Sequence, residues 1–221
     1  TWRSQLSERV VIVGAGHAAG QLVASLKMKN YGGEIVMIGE EPHIPYQRPP
    51  LSKKFLSGEM PAERLNLKPE SFYEDDNIEM RLNTRVASID RTGNVVHTEC
   101  GEAVNWDKLV LATGSRVRTI PIEGTDLDGV HYLRTIEDVE NIRSDVENAK
   151  RAVIVGGGYI GLEVAAVLHE TGLKVTVVEM AERVMSRVVS PEISDFYQIE
   201  HASHGVKLRL LTSVTAICGD N

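Results

Sequence analysis

Two glycine-rich turns hold the residues whose types and spacing point most directly to chemistry. The first is Gly14-Ala15-Gly16-His17-Ala18-Ala19-Gly20 and the second Gly156-Gly157-Gly158-Tyr159-Ile160-Gly161. Gly14, Gly16 and Ala19 fill three key positions in one, and Gly156, Gly158 and Gly161 fill them in the other. A first glycine permits a tight turn, a second lets a pyrophosphate approach the backbone, and a small third residue lets the following helix pack on the strand. The helix then offers free N–H groups and its positive end to the phosphates. Glu40 and Glu179 each lie roughly 20 residues further on, where a carboxylate accepts from ribose hydroxyls. The chemistry implied is the grip on two dinucleotides. Glu179 repels a 2′-phosphate and so favours NADH over NADPH at the second turn. Arg183 pulls the other way, because an arginine there could accept a phosphate.

These turns need strands and helices to position them, and the sequence supplies both. Val10–Val13 is a continuous apolar run of strand type, and a helical stretch follows from about His17 to Lys29. Tyr31-Gly32-Gly33 ends it, and Ile35–Ile38 is a second buried strand. The order recurs: strand Ala152–Val155, the glycine turn, a helix from Leu162 to about Glu170, and strand Val175–Val178 ending at Glu179. Between the two copies, Pro42, Pro45, Pro49 and Pro50 exclude regular helix or central strand over 41–50. Short strands are expected around 78–82, 86–89 and 95–98, and a buried one at Lys108–Leu111 leads into Ala112-Thr113-Gly114. Thr135 reads as the N-cap of a helix over 135–148, with Asp138 its reciprocal partner. The fold class is α/β, with two Rossmann-like nucleotide-binding domains. The first spans residues 1–118 and the second 119–221, with a crossing near Arg118–Pro121.

Two dinucleotides in one chain suggest an electron relay between a flavin and a nicotinamide. Here the sequence resembles the FAD-dependent, NADH-using ferredoxin reductases of bacterial oxygenase systems, within the pyridine nucleotide-disulfide oxidoreductase superfamily. Apoptosis-inducing factor is a more distant relative. The resemblance covers essentially the whole chain. It is carried by Pro45-Tyr46-Gln47-Arg48-Pro49-Pro50-Leu51-Ser52-Lys53, Leu111-Ala112-Thr113-Gly114, Tyr132-Leu133-Arg134-Thr135 and Gly156 to Glu163.

The resemblance implies roles for single residues. Gly14, Gly16 and Ala18 line the FAD pyrophosphate and Glu40 takes its ribose. Arg48 and Lys53 reach the flavin side, Val86 contacts the adenine, Ala112-Thr113-Gly114 closes over the cofactor and Arg134 adds a charged contact. Gly157, Gly158, Tyr159 and Ile160 cradle NADH, with Glu179 on its ribose. Lys53 and Glu163 pair beside the flavin, where a cation stabilises the anionic reduced ring. They are expected to be buried and to compensate each other's charge. The alternative is a salt bridge fixing the two domains. Tyr159 shields the flavin until nicotinamide displaces it, or else packs on its own helix. The implied acceptor is an acidic [2Fe–2S] ferredoxin serving a cytochrome P450 or a Rieske oxygenase. Lys53, Lys54, Arg64 and Lys68 form the positive patch that would meet it, or a scatter of solvated charges.

Composition narrows the alternatives. The 221 residues carry 24 Lys and Arg against 31 Asp and Glu, a net charge of −7, which disfavours general nucleic-acid binding and a DNA-binding role of the apoptosis-inducing type. Cys100 and Cys218 are the only cysteines and form no redox pair, which disfavours disulfide reductases. His201 and His204 lack a convincing third ligand, so no metal site is expected. A rubredoxin reductase, an NADH oxidase and the flavin module of nitrite reductase remain open. Thr1–Arg9 is polar with no signal-peptide pattern and no apolar run is long enough to span a bilayer, so a cytoplasmic location is expected. The resemblance also implies a chain about twice as long. The sequence therefore reads as an N-terminal part, lacking the return segment of the FAD domain and the end of the NAD domain. Gly219-Asp220 is not the return motif, since no apolar strand leads into it.

Overall fold

A computed structural model describes residues 8–219, so Asp220 and most of the polar N-terminal segment lie outside the described residues. The described chain groups into two compact units, 8–47 with 65–115 and 48–64 with 116–219. Sequence alone placed all of 1–118 in one domain. By packing, 48–64 and 116–118 group with the second unit, where Arg48 donates to the Arg134 carbonyl and Lys53 pairs with Glu163.

The first unit is built on strand β1 (Arg9–Val13), helix α1 (His17–Met28), β2 (Glu34–Ile38) and β3 (Ile78–Arg81). Then come β4 (Val86–Asp90), β5 (Val95–Thr98), β6 (Ala103–Asn105) and β7 (Lys108–Leu111). A parallel sheet runs β3-β2-β1-β7, and β4-β5-β6 forms a separate antiparallel sheet. Alternation along β1 and β2 explains why both are continuous apolar runs. Val10, Ile12, Ile35 and Met37 pack with Ala19 and Val23 of α1. Val11, Val13, Val36 and Ile38 pack on the other side with Val96 and Val104 of the antiparallel sheet. Both faces are covered, as parallel strands require.

The second unit holds α2 (Ile136–Val146), β8 (Arg151–Val155), α3 (Tyr159–Glu170), β9 (Lys174–Val178), α4 (Pro191–Ser203) and β10 (Lys207–Arg209). Its parallel sheet runs β10-β9-β8. Two short 3₁₀ turns begin at Pro49 and Ala62. The capping box forms as expected: Thr135 Oγ1 accepts from Asp138 N, and Asp138 Oδ2 accepts from Thr135 N at 2.8 Å and from Arg134 N at 2.8 Å. One boundary is corrected. Helix α3 starts at Tyr159, not Leu162, because Gly158 is its N-cap, so Tyr159, Ile160 and Gly161 form the first helical turn.

Candidate functional site

The first unit brings three strand ends together. Gly14 follows β1, Glu40 follows β2 and Ala112 follows β7, at the C-terminal ends of parallel strands where α/β sheets bind nucleotides. The sheet order reverses between β1 and β7, which opens a crevice at that point. Gly14 sits at φ +113°, and a Cβ there would lie 2.2 Å from the Ala112 carbonyl oxygen. Only glycine lets β1 and β7 end this close together. A Cβ on Gly16 would meet nothing within 4 Å, so the backbone faces open space. Gly16 is the N-cap of α1, which has no side-chain cap and no acid in its first turn. Ala18 is exposed in that turn and Ala19 is buried against the core, as the glycine-turn reading requires. Glu40 is exposed, and Arg85 Nε lies 3.8 Å from its carboxylate. Val86 follows Arg85 at the start of β4. Thr113 and Gly114 are exposed, Gly114 at φ +66°.

The second unit holds a cavity of about 600 Å³ at the C-terminal ends of its strands, lined by the glycine turn, Tyr159, Glu179, residues 185–188 and residues 212–214. Each glycine here does a separate job. Gly156 stands at φ +110° with open space before it. A Cβ on Gly157 would meet Val184 at 3.0 Å, and one on Gly161 would lie 2.1 Å from the Gly156 carbonyl oxygen. A Cβ on Gly158 would meet nothing. The N-terminus of α3 is uncapped, with no acid in its first turn. Glu179 is already fixed: its carboxylate accepts from Gly157 N at 2.7 Å and from Ala181 N at 2.8 Å. Each oxygen keeps a lone pair for a ribose hydroxyl.

A smaller cavity of about 290 Å³ in the same unit is lined by Arg48, Lys53, Leu133, Arg134, Ile160 and Glu163, with Pro49, Leu51 and Ser52. Lys53 Nζ is 2.7 Å from Glu163 Oε2 and 3.3 Å from the Pro49 carbonyl. The expected burial of this pair is corrected: the Lys53 side chain is 48% exposed and that of Glu163 29%. Both belong to one unit, so the pair does not tie two units together. Three cations face one carboxylate here, a wall that suits an electron-rich or anionic group. Arg134 Nε is buried without a hydrogen-bond partner. Tyr159 and Ile160, successive residues at the head of α3, line one cavity each and are both about half exposed.

Sequence reasoning missed Ser52. Its side chain is buried and its hydroxyl donates to Glu163 Oε2 at 2.6 Å, the oxygen that Lys53 holds. Nothing local marks it, although it lies within the quoted proline motif. Arg187, which lines the larger cavity, was also missed, and its charge just beyond β9 was the available signal. Arg183 is corrected. Its guanidinium is spent on the Val189 and Ser186 carbonyls and on Ser194 Oγ, and it does not line the cavity. His201 turns both ring nitrogens to carbonyl oxygens, of Tyr197 and Leu162, and so acts as a brace between α4 and α3. Of the suggested basic patch, Lys53 is paired, and Lys68 stands over the Phe72 ring at 5.6 Å.

Two uncapped helix N-termini behind glycine turns, each with an acid at the next strand end, define a dinucleotide-binding architecture. The chain belongs to the pyridine nucleotide-disulphide oxidoreductase family, which it matches over residues 8–221. Its fold class is that of this family, whose members use FAD and NAD(H). It is 41% identical over 94% of its length to rhodocoxin reductase of Rhodococcus erythropolis, covering 49% of that protein. It is 43% identical over 96% of its length to a rubredoxin-NAD(+) reductase of Pseudomonas putida, covering 55%. Among solved structures, the ferredoxin reductase for the CYP199A2 system of Rhodopseudomonas palustris superposes with a TM-score of 0.92 at 41% identity, over 97% of this chain and 53% of that one. The chain spans about half the length of the curated relatives it matches. No helix among the described residues is long and apolar enough to cross a membrane.

Proposed function

We propose that this chain is the dinucleotide-binding part of a cytoplasmic NADH-dependent reductase that passes electrons through FAD to a [2Fe–2S] ferredoxin, which in turn serves a P450 or Rieske oxygenase. The observation that carries the reading is the larger cavity, where an uncapped helix N-terminus, an open Gly158 and a pre-set Glu179 carboxylate converge. The α3 N–H groups would hold the NADH pyrophosphate, and Glu179 would accept from its ribose while repelling a 2′-phosphate. Gly14, Gly16 and the α1 N-terminus would do the same for the FAD pyrophosphate, with Glu40 on its ribose. Arg48, Lys53 and Arg134, which line the smaller cavity, supply the positive charge that suits a flavin ring. The flavin supplies the conversion of a two-electron hydride donor into a one-electron donor. Lys53, steadied by Glu163, would place positive charge where negative charge grows. Tyr159, half exposed at the mouth of the larger cavity, would cover the nicotinamide position until NADH enters.

A rubredoxin acceptor is the second reading, favoured by the 43% identity to a protein of that name. Visible absorption of the purified chain, followed by anaerobic NADH, tests the core proposal. Flavin bands that bleach support it. A flavin-loaded protein that NADH leaves oxidised overturns it, and a colourless one overturns FAD binding by this chain. Reduction of purified ferredoxin and rubredoxin then separates the two acceptors.

A further inference from the structure

Residues 185–188 form one wall of the larger cavity, in the loop that joins β9 to α4. That loop is conformationally demanding. Met185 stands at φ +51°, a left-handed conformation uncommon for a residue other than glycine. At one end Met185 N donates to the Gly157 carbonyl at 2.9 Å, which ties the wall to the glycine turn. At that same end Val184 N donates to Gln198 Oε1 of α4 at 3.1 Å. Arg183 reaches across the loop to its far end. Its Nη1 donates to the Val189 carbonyl at 3.0 Å and to Ser194 Oγ at 2.7 Å, and its Nη2 donates to the Ser186 carbonyl at 2.9 Å. Ser194 is fully buried, and its own proton goes to the Val184 carbonyl at 2.6 Å. The loop is thus closed on itself around one guanidinium, in a fork geometry that a lysine cannot reproduce.

We propose that Arg183 is a positioning residue for nicotinamide dinucleotide binding: it holds the 185–188 wall in its binding shape before ligand arrives and makes no contact with the ligand. The inference rests on reading the larger cavity as the NADH site. An unfastened loop would have to be ordered on binding, and that ordering would be subtracted from affinity. Arg183 therefore acts on all ligands of the cavity alike and does not read a 2′-phosphate.

The test uses the full-length protein, wild type and with Arg183→Lys or Ser194→Ala, in two measurements. One is amide hydrogen exchange over residues 183–190 without nucleotide, and the other is NAD⁺ binding by calorimetry. The expected result is exchange about tenfold faster in the loop of Arg183→Lys, with NAD⁺ affinity lower by about tenfold, and a smaller change of the same sign in Ser194→Ala. Ser194→Ala carries the test if Arg183→Lys does not fold. Unchanged loop exchange overturns the inference, and lost affinity with unchanged exchange would instead put Arg183 on the ligand. Variants that bind NAD⁺ as tightly as wild type overturn this inference alone. A wild type that binds no NAD⁺ overturns the dinucleotide reading and takes this inference with it.

Discussion

Strands β1 and β8 are nearly the same peptide, Arg-Val-Val-Ile-Val against Arg-Ala-Val-Ile-Val, yet they end in opposite surroundings. In β1, Val11 and Ile12 are wholly buried, on opposite faces. In β8, Val153 is 67% exposed and Val155 45%. A continuous apolar run says that a strand suits burial on both faces, but it does not say which residues supply the second layer. In the first unit Val96 and Val104 of the antiparallel sheet supply it. The glycine turns after the two strands differ in the same sense. Gly14 is locked against the Ala112 carbonyl, whereas Gly156 faces open space and the close contact is moved to Gly161.

The largest effect that would sharpen this comparison is on the strands. Val11→Asp puts an unpaired carboxylate between two packed layers and should cost about 4 kcal/mol or more in urea unfolding. Val153→Asp should cost only about 1 kcal/mol, the difference in strand propensity. Similar losses in both would erase the distinction. Next come the turns. Gly156→Ala meets only backbone strain and should cost about 1–2 kcal/mol. Gly14→Ala meets that strain and also the Ala112 carbonyl, and should cost about twice as much by the same measurement.

A third test separates helices that keep their first N–H groups free from one that does not. Helix α2 is capped by Thr135 and Asp138, while α1 and α3 begin uncapped at glycine. Gly158→Asp should leave the melting temperature nearly unchanged, since aspartate is a good N-cap. The same change should weaken NAD⁺ by about tenfold or more in calorimetry, because the carboxylate takes up the phosphate donors and repels the phosphates. Thr135→Ala should instead cost about 1 kcal/mol and leave NAD⁺ affinity alone.

The smallest effect belongs to a turn that closes on itself. Asp90 accepts from Thr92 N and Gly93 N in the β4–β5 turn. Those bonds, Gly93 first and then Thr92, hold its carboxyl below the ordinary value of 3.8. A depressed folded value stabilises the protein above 3.8, and the gain is lost as pH falls through the folded value. Asp90→Asn should therefore melt slightly below wild type at neutral pH. The gap should close in acid, and one that persists there would assign the turn's stability to something other than charge.

Much of this was legible because the residues that shape it are near neighbours. Gly14, Gly16 and Glu40 announce their unit because they fall within a strand, turn, helix and strand in sequence, and Thr135 with Asp138 announces α2. Helix α4 was not read, although Ser190-Pro191-Glu192 is a fair start signal. Its Ile193, Phe196 and Ile199 are 46%, 60% and 69% exposed, so its apolar pattern does not mark a core face. Strand β10 is short and begins and ends with a charged residue, Lys207 and Arg209, and β6 spans only Ala103–Asn105. The roles of Ser52 and Arg183 depend on what the folded chain brings to them. Ser52 meets Glu163, and Arg183 meets carbonyls whose direction is set by a left-handed methionine.

The segment 48–64 also has a consequence in time. Its ends are stapled within the first unit, where Gln47 N donates to the Leu65 carbonyl at 2.8 Å. Its buried side chains Leu51, Phe55 and Leu56 pack with the second unit. Ser52 precedes its partner Glu163 by 111 residues, which a ribosome adds in roughly 5–20 s. For that interval the strands on either side can pair while the segment waits as a closed apolar loop. Slow translation between residues 64 and 163 would lengthen the time for which Ser52 lacks its partner.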